Sequence, residues 1–201
     1  MPNQHIKIGA IAPYAFYGGA EKQFGYLVKN LPSPDKKIFF FSKSGPEQQI
    51  TKSDFNNRYG SINKVVSNFR PTFSSKDKNI FSHLSSYLRT CFSAVKYLRD
   101  CDVIYAYSLY SILPLALLKL IGKKTVYSER LYSSDLKSRS FFYKFLSLFD
   151  AIVVNSEELQ AWATTYNKNV YLVQNVVSPV DWSPKPKHTQ QAVVAVIARI
   201  H

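Results

Sequence analysis

The sequence has 201 residues, of which 46% are hydrophobic and 15% aromatic, and this composition excludes an intrinsically disordered chain. It carries 26 Lys and Arg residues against 13 Asp and Glu residues, a formal net charge of +13. Such an excess of positive charge attracts polyanions, which include nucleic acids, anionic membrane surfaces and phosphorylated small molecules. The charge does not choose among these classes of partner.

The cysteines and the N-terminus bear on the cellular compartment. Cys91 and Cys101 lie ten residues apart with no histidine beside either, which fits neither a zinc site nor a disulfide framework. We therefore expect two free thiols in a reducing compartment. The N-terminal residues lead directly into an apolar run and lack the long apolar region of a signal peptide. These features predict a cytoplasmic protein.

Apolar runs rich in β-branched and aromatic residues alternate with helical patterns along the chain. The predicted strands are Ile6–Ala12, Ile38–Phe41, Val65–Val66, Val103–Tyr107, Thr125–Tyr127, Ala151–Val154, Val170–Val173 and Val193–Ile197. The predicted helices are Ala20–Leu31, Ile80–Leu98, Ile112–Ile121, Phe141–Phe149 and Glu157–Thr165. Strands that are apolar on both faces and alternate with helices predict an α/β fold, with a doubly wound, mostly parallel, Rossmann-like sheet.

One apolar run is long enough to be mistaken for a membrane span. It extends from Val103 to Gly122, but Pro114 and Lys119 interrupt it. We expect a strand, a loop and a short buried helix here instead.

Two polar stretches interrupt the alternation and divide the chain. Ser42–Lys78 carries seven basic residues against three acidic ones and indicates a long loop insertion. Ser178–Gln191 contains three prolines and indicates an interdomain linker. The predicted organisation is therefore an N-terminal domain at 1–177, a linker at 178–191, and the first strand of a truncated second domain at 192–201.

A pair of glycines, Gly18 and Gly19, lies between the first predicted strand and the first predicted helix. A helix N-terminus offers unpaired N–H groups and a partial positive charge, and glycine lets an anion approach the backbone closely. The alternative is a loop that needs glycine only for a positive φ. Taken alone, the pair supports both interpretations equally.

The surrounding residues narrow the kind of phosphate ligand. No Lys-Ser/Thr step follows the glycines, which argues against a P-loop nucleotidase. The predicted turn from Ala12 to Gly18 is longer than the dinucleotide fingerprint allows, and the second strand runs into Ser42 and Lys43 without a ribose-binding carboxylate. NAD is therefore not the expected ligand.

Five segments together resemble the N-terminal domain and interdomain region of GT-B glycosyltransferases, family 4. The resemblance covers nearly the whole chain and depends on the order and spacing of the segments rather than on any single one. The segments are APYAFYGGAEKQFGYLVKNL, DVIYAYSLYSILPLALLKLIGKKTVYSER, FDAIVVNSEELQAW, VYLVQNVVSPVDWSP and VVAVIARIH.

This resemblance implies the N-terminal half of a two-domain enzyme that transfers a hexosyl-type sugar from a nucleotide-sugar with retention of configuration. It also implies that no metal or other cofactor is needed. The glycine loop would contact the donor diphosphate, a role that maps onto Gly18 and Gly19. The arginine of the second domain's first strand, which neutralises the same diphosphate, maps onto Arg199. The expected acceptor is a glycan or a lipid-linked glycan of cell-envelope polysaccharide synthesis.

The sequence departs from the family at three places. Many relatives have a histidine after the strand that matches Thr125–Ser128, where this chain has Glu129 and Arg130. As catalytic candidates, Glu129 would orient an acceptor hydroxyl and Arg130 would hold an acceptor phosphate, whereas the alternative is a solvated ion pair. The linker turn has Asn175 followed by valine rather than glycine, and the paired-glutamate segment of the second domain is absent.

Two further expectations concern partners and activity. The basic excess fits a peripheral enzyme on the inner face of an anionic membrane, contacted by basic loops such as Lys43–Lys78. A non-enzymatic, basic α/β module that binds nucleic acid is the alternative, but the sequence has no nucleic-acid-binding signature, so no nucleic acid is expected. Because the donor-binding half is missing, this chain alone is predicted to be inactive.

Overall fold

The computed structural model describes residues 6–16, 18–31, 35–44, 57–59, 62–69, 80–130 and 140–175. Its centre is a seven-stranded sheet in the order β3-β2-β1-β4-β5-β6-β7, and every neighbouring pair is parallel. The strands are β1 Ile8–Phe16, β2 Lys36–Ser44, β3 Asn63–Val66, β4 Val103–Tyr107, β5 Lys124–Glu129, β6 Ala151–Val154 and β7 Val170–Leu172.

Helices connect the strands and cover both faces of the sheet. They are α1 Gly19–Asn30, α2 Ile80–Leu98, α3 Ile112–Leu120, α4 Ser140–Tyr143 and α5 Glu157–Thr164. Short 3-10 helices precede α3 at Leu109–Ser111 and follow α4 at Lys144–Leu148. This arrangement confirms the predicted α/β fold with a doubly wound, Rossmann-like sheet.

Two apolar clusters fill the space between the sheet and its helices. The larger one joins α2, α3 and α5 to the sheet face that carries Ile11, Phe39 and Ile104. The smaller one joins α1 to the opposite face, where Phe24 packs against Phe40 and against two tyrosines of β4. Both faces are therefore buried, as the continuous apolar character of the strands predicts.

The first strand extends beyond its predicted end. β1 continues to Phe16, so the turn before α1 is shorter than the predicted one from Ala12 to Gly18. Pro13, the first residue after the predicted end of the strand, does not interrupt β1. Pro13 lies after Ile11, where the pairing with β4 stops, and outside the paired positions of β2, so its missing N–H removes no ladder bond. The long-turn argument against NAD is therefore wrong, while the lack of a carboxylate after β2 still holds.

Other predictions hold with small changes. The strand, loop and short helix predicted for the apolar run after Asp102 are β4, the 3-10 turn and α3. The helix predicted for Phe141–Phe149 is instead α4 followed by a 3-10 helix. Within the predicted insertion, β3 forms an edge strand beside β2. None of the described helices is both long and apolar enough to cross a membrane.

Asp150 ties α3 to the amino edge of β5. Its carboxylate accepts bonds from Lys119 Nζ at 2.7 Å, from Thr125 N at 2.8 Å and from Thr125 Oγ1 at 3.1 Å. Burial raises the pKa of Asp150, but the hydrogen bonds from Lys119 and Thr125 outweigh burial and hold it below its ordinary value. Asp150 is therefore ionised at neutral pH, and its hydrogen bonds hold α3 against β5.

The predicted linker at 178–191, the strand Val193–Ile197 and the second-domain segment at 192–201 lie outside the described residues. The division of the chain into these domains stays a prediction.

Candidate functional site

The order of the strands places a crevice at the carboxyl edge between β1 and β4. After β1 the chain continues into α1 on one face of the sheet, and after β4 it continues into α3 on the other face. Strand order reverses between these two strands, and in open α/β sheets such a switch point is where ligands bind. The side chains around this edge therefore form the candidate site.

The glycine pair lies on this edge, and neither glycine has a positive φ. Gly18 is extended, with φ −150° and ψ −159°, and Gly19 begins α1. A Cβ added at Gly19 would meet no heavy atom within 4 Å. The interpretation that the loop needs glycine for a positive φ is therefore wrong, and nothing within the described residues excludes a side chain at Gly19.

Glu21, in the first turn of α1, caps the N-terminus of the helix. The Gly18 N–H donates to Glu21 Oε2 at 2.8 Å, and the Glu21 side chain is buried, with 5% exposure. A glutamate three residues after the cap position is half of a capping box, and its charge suits the helix N-terminus. The next three N–H groups, those of Gly19, Ala20 and Glu21, have no partner among the described residues. An anion at this helix end would therefore find three free donors beside one carboxylate.

Two buried hydroxyls lie side by side at the ends of β4 and β5. Tyr107 and Ser128 are paired in register, so their side chains lie on the same face of the sheet as α1. Both hydroxyls are buried and neither makes a well-formed hydrogen bond among the described residues, although the Glu21 carboxylate lies near the Tyr107 hydroxyl. Burial, and next the charge of Glu21, raise the pKa of Tyr107 well above its usual range, so this hydroxyl stays protonated. Buried polar groups of this kind call for a bound water or ligand.

The residue after β4 has a strained backbone. Ser108 adopts φ 76° and ψ 148°, a conformation that is common only for glycine. Holding a side chain there costs about 1–3 kcal/mol, and such strain concentrates at functional sites. The strain lies directly beside Tyr107, at the switch point.

Arg130 links three separate segments at the same edge. It follows β5, and its guanidinium donates to Tyr105 Oη on β4 at 3.2 Å and to Asn175 Oδ1 after β7 at 3.0 Å. Among the described residues these are its only side-chain bonds, so three of its five N–H donors are left for other groups. Tyr105 also packs on Phe24 of α1, which places Arg130 close to the helix that bears the glycines.

Glu129 is buried rather than solvated, with 5% exposure. Its Oε2 accepts from Tyr127 Oη at 2.9 Å, and its Oε1 accepts from the backbone N–H of Arg130 at 3.0 Å. The alternative of a solvated ion pair with Arg130 is therefore wrong, because no ion pair joins these two side chains in the described region and Glu129 is enclosed. The predicted roles of Glu129 and Arg130 toward an acceptor stay predictions.

A helical turn at 57–59, within the predicted insertion, packs beside the carboxyl end of β1 on the face of the sheet that carries α1. The Tyr59 hydroxyl and Arg58 Nη1 both donate to the carbonyl of Ala15, near the end of β1. The Tyr59 ring is fully buried against Phe40, at 5.0 Å between ring centroids. At least this part of the insertion is thus built into the core, and it brings a second arginine to the candidate site.

The sequence therefore predicted some residues of this edge and missed others. Gly18, Gly19, Glu129 and Arg130 lie on it, whereas Arg199 lies outside the described residues. The residues that were missed are Glu21, Arg58, Tyr105, Tyr107, Ser108, Ser128 and Asn175. The G-x-x-E capping pattern could have shown Glu21, and the alternation Tyr105-x-Tyr107 and Ser128-x-Arg130 could have placed four side chains on one face. No group of three or more His, Cys, Asp or Glu side chains in the described part of the chain could hold a metal ion.

Comparisons with known sequences give no match: no protein-family model fits the chain, and no curated protein matches it significantly.

Solved structures do match. The structure of HepE from Anabaena, in complex with UDP and glucose, superposes with a TM-score of 0.58 at 18% identity, over 88% of this chain and 48% of HepE. Sucrose-phosphate synthase from Thermosynechococcus elongatus superposes with a TM-score of 0.53 at 16% identity, over 84% of this chain and 88% of that chain. This chain thus spans about half the length of HepE. Both neighbours are GT-B glycosyltransferases, and at these identities the likeness establishes the fold: the described part of the chain is a Rossmann-like domain of the GT-B kind.

Proposed function

We propose that this chain is the acceptor-side domain of a retaining, metal-independent glycosyltransferase of family 4. Its substrates would be a nucleotide-sugar donor that supplies a hexosyl group and a glycan or lipid-linked acceptor of cell-envelope polysaccharide synthesis. The enzyme would work in the cytoplasm, at the inner face of the membrane. The GT-B fold supports the class of activity, and HepE, a neighbour of the same fold, binds UDP and glucose.

The observation that carries the proposal is the free N-terminus of α1 at the switch point. Three N–H groups without partners among the described residues point out of a helix that begins at the exposed Gly19. A donor diphosphate bound there would accept these hydrogen bonds and would gain from the helix dipole. Because Gly19 has no side chain, phosphate oxygens would reach the backbone directly. Arg199 would supply the opposing positive charge from the second domain.

The polar groups of β4 and β5 would serve the acceptor. Arg130 would hold an acceptor phosphate or sugar oxygen with the donors that Tyr105 and Asn175 leave free. The buried hydroxyls of Tyr107 and Ser128 would supply further polar contacts. Glu129 would act as a positioning residue, because it holds the backbone N–H of Arg130 while its own carboxylate is enclosed.

Titration of the 201-residue chain with UDP, followed by amide NMR, tests the donor side of this proposal. We expect the largest shifts at the amides of Gly19, Ala20 and Glu21, since these N–H groups would meet the diphosphate. Shifts confined to other parts of the chain, or none at millimolar UDP, would refute the diphosphate site. Uridine without phosphates is the matched control and should leave these amides unchanged.

Transfer assays test the acceptor side. In a protein that joins this chain to a donor-binding domain, Arg130→Gln should lower sugar transfer roughly 10- to 150-fold, since a charge-assisted contact contributes about 1.5–3 kcal/mol. Lys29→Gln, an exposed change of equal charge on α1, is the control and should leave transfer unchanged. Equal rates for Arg130→Gln and wild type would contradict the role of Arg130. The 201-residue chain alone should transfer no sugar.

A further inference from the structure

The outward face of α2 carries an apolar stripe. Phe81, Leu84, Leu88 and Phe92 are exposed by 85%, 45%, 38% and 63% of their surface, and their spacing of three, four and four residues aligns them on one side of the helix. The adjoining side of α2 is already packed on the sheet through Cys91, Ala94 and Leu98. Single exposed apolar residues are ordinary, but a continuous row with two phenylalanines marks an interaction surface.

Basic residues flank the apolar stripe, and the helix itself contains no acidic residue. Residues 80–99 contain Arg89, Lys96 and Arg99 but no Asp or Glu. Arg89 and Lys96 are seven residues apart, so they follow one another along the same flank of the helix. Within the described parts of the chain, none of these three side chains has a hydrogen bond or an ion pair. Their charges are therefore available to a partner.

The basic end of α2 borders an open cavity of about 540 Å³. Lys37, Lys96, Arg99 and Asp100 contribute to its lining. Lys37 is engaged by Asp100, with Nζ 2.8 and 2.7 Å from the two carboxylate oxygens. Lys96 and Arg99 are thus the charges left for an anionic group, and the cavity is large enough for a phosphate.

We propose that the apolar stripe of α2, with its basic flank, docks this domain on an anionic lipid bilayer. The helix lies in the plane of the interface, the two phenylalanines and two leucines enter the acyl boundary, and the basic side chains contact lipid phosphates. The absence of any acid from 80 to 99 suits a uniformly anionic surface better than a protein partner. The apolar row would have no place against the phosphate backbone of a nucleic acid. This surface would account for the membrane location in the proposed function, but docking on a bilayer does not require that the protein transfers sugar.

Vesicle co-sedimentation of the 201-residue chain tests this docking surface. We expect binding to phosphatidylcholine vesicles that contain about one third phosphatidylglycerol, weaker binding to pure phosphatidylcholine, and a decline with added NaCl. Phe81→Ser with Phe92→Ser should lower the affinity roughly 100-fold, since each buried aromatic contributes about tenfold. Arg89→Gln with Lys96→Gln should lower it about 30-fold on the anionic vesicles only.

Two control pairs match these changes elsewhere on the surface. Tyr171→Ser with Val173→Ser removes two exposed apolar side chains, and Lys22→Gln with Lys29→Gln removes two charges on α1, across the sheet. Control pairs that weaken vesicle binding as strongly as the α2 pairs would overturn the proposal, as would a wild-type chain that does not bind.

A second copy of the chain is the competing occupant of the apolar stripe. Sedimentation velocity would reveal such a dimer, and Phe81→Ser with Phe92→Ser would dissociate it. If the same double substitution left vesicle binding unchanged, the docking proposal would be refuted. Loss of sugar transfer in the joined protein, with vesicle binding intact, would overturn only the proposed function.

Discussion

A methyl group at Gly19 separates the proposed role of the glycine loop from a structural one. The added Cβ has open space for 4 Å, so Gly19→Ala should keep the fold and raise the free energy of unfolding by about 0.4–1 kcal/mol. The same methyl would stand between the helix N–H groups and a diphosphate. A displacement of about 1 Å costs about 100-fold in rate, which we expect for sugar transfer by the joined protein. Urea unfolding and initial transfer rates measure the two effects.

Gly9→Ala is the matched control, because the same methyl would enter the core. Its Cβ would lie 2.7 Å from Ile104 Cδ1 and 3.2 Å from both Cys101 Sγ and Leu98 Cδ2. Overpacking of this kind should lower the free energy of unfolding by about 1–3 kcal/mol and leave the transfer rate per folded molecule unchanged. Unchanged transfer in Gly19→Ala, or a loss of stability as large as that of Gly9→Ala, would refute the assigned role of Gly19.

Three further predictions concern groups at the two edges of the sheet. Tyr107→Phe removes a buried hydroxyl that makes no well-formed hydrogen bond and lies near the Glu21 carboxylate, so it should stabilise the chain by about 1 kcal/mol in urea unfolding while lowering acceptor use; destabilisation would show that the hydroxyl donates to Glu21. Ser108→Gly should relieve the positive φ and raise the free energy of unfolding by about 1 kcal/mol, and no change would argue against the strain. Asp150→Asn should destabilise the chain by about 1–3 kcal/mol at pH 7, because the carboxylate loses charge-assisted bonds to Lys119 and Thr125. Since the pKa of Asp150 is lowered in the folded state, its contribution is complete above the ordinary Asp pKa of about 3.9 and is lost as the pH falls below it. The difference between wild type and Asp150→Asn should therefore shrink in urea titrations at pH 3, and a constant difference would contradict the pKa shift.

The alternation of apolar strands and helices was sufficient to predict the fold. Strands of a sheet that is covered on both faces are apolar at every position rather than at every second one, and few other folds have strands of this kind. The end of β1 was not predictable in the same way. A proline argues against a strand in a local pattern, yet Pro13 lies where the pairing with β4 has stopped and at a position of β1 that is not paired with β2, so no donor is needed. Whether a proline breaks a strand depends on the register of its neighbours, which a local pattern does not contain.

Residues of the candidate site could be predicted only where they are neighbours in the sequence. Gly18 and Gly19 are adjacent in the chain, and Glu129 and Arg130 end one strand, so their positions followed from the strand and helix assignments. The contacts of Arg130 with Tyr105 and Asn175 join residues 25 and 45 positions apart. These contacts depend on the order and register of β4, β5 and β7, and on side-chain rotamers, none of which the spacing of residues determines.

The bond from Arg130 to Asn175 also has a mechanical consequence. Asn175 is exposed and lies three residues after the end of β7, while the other end of the bond lies at the switch point. A hydrogen bond from a charged group contributes about 1.5–3 kcal/mol, so thermal motion opens it in roughly 1–7% of molecules. The guanidinium thus acts as a weak link between the site and the segment that follows β7: displacement of Asn175 releases the arginine, and a group that captures the arginine releases Asn175.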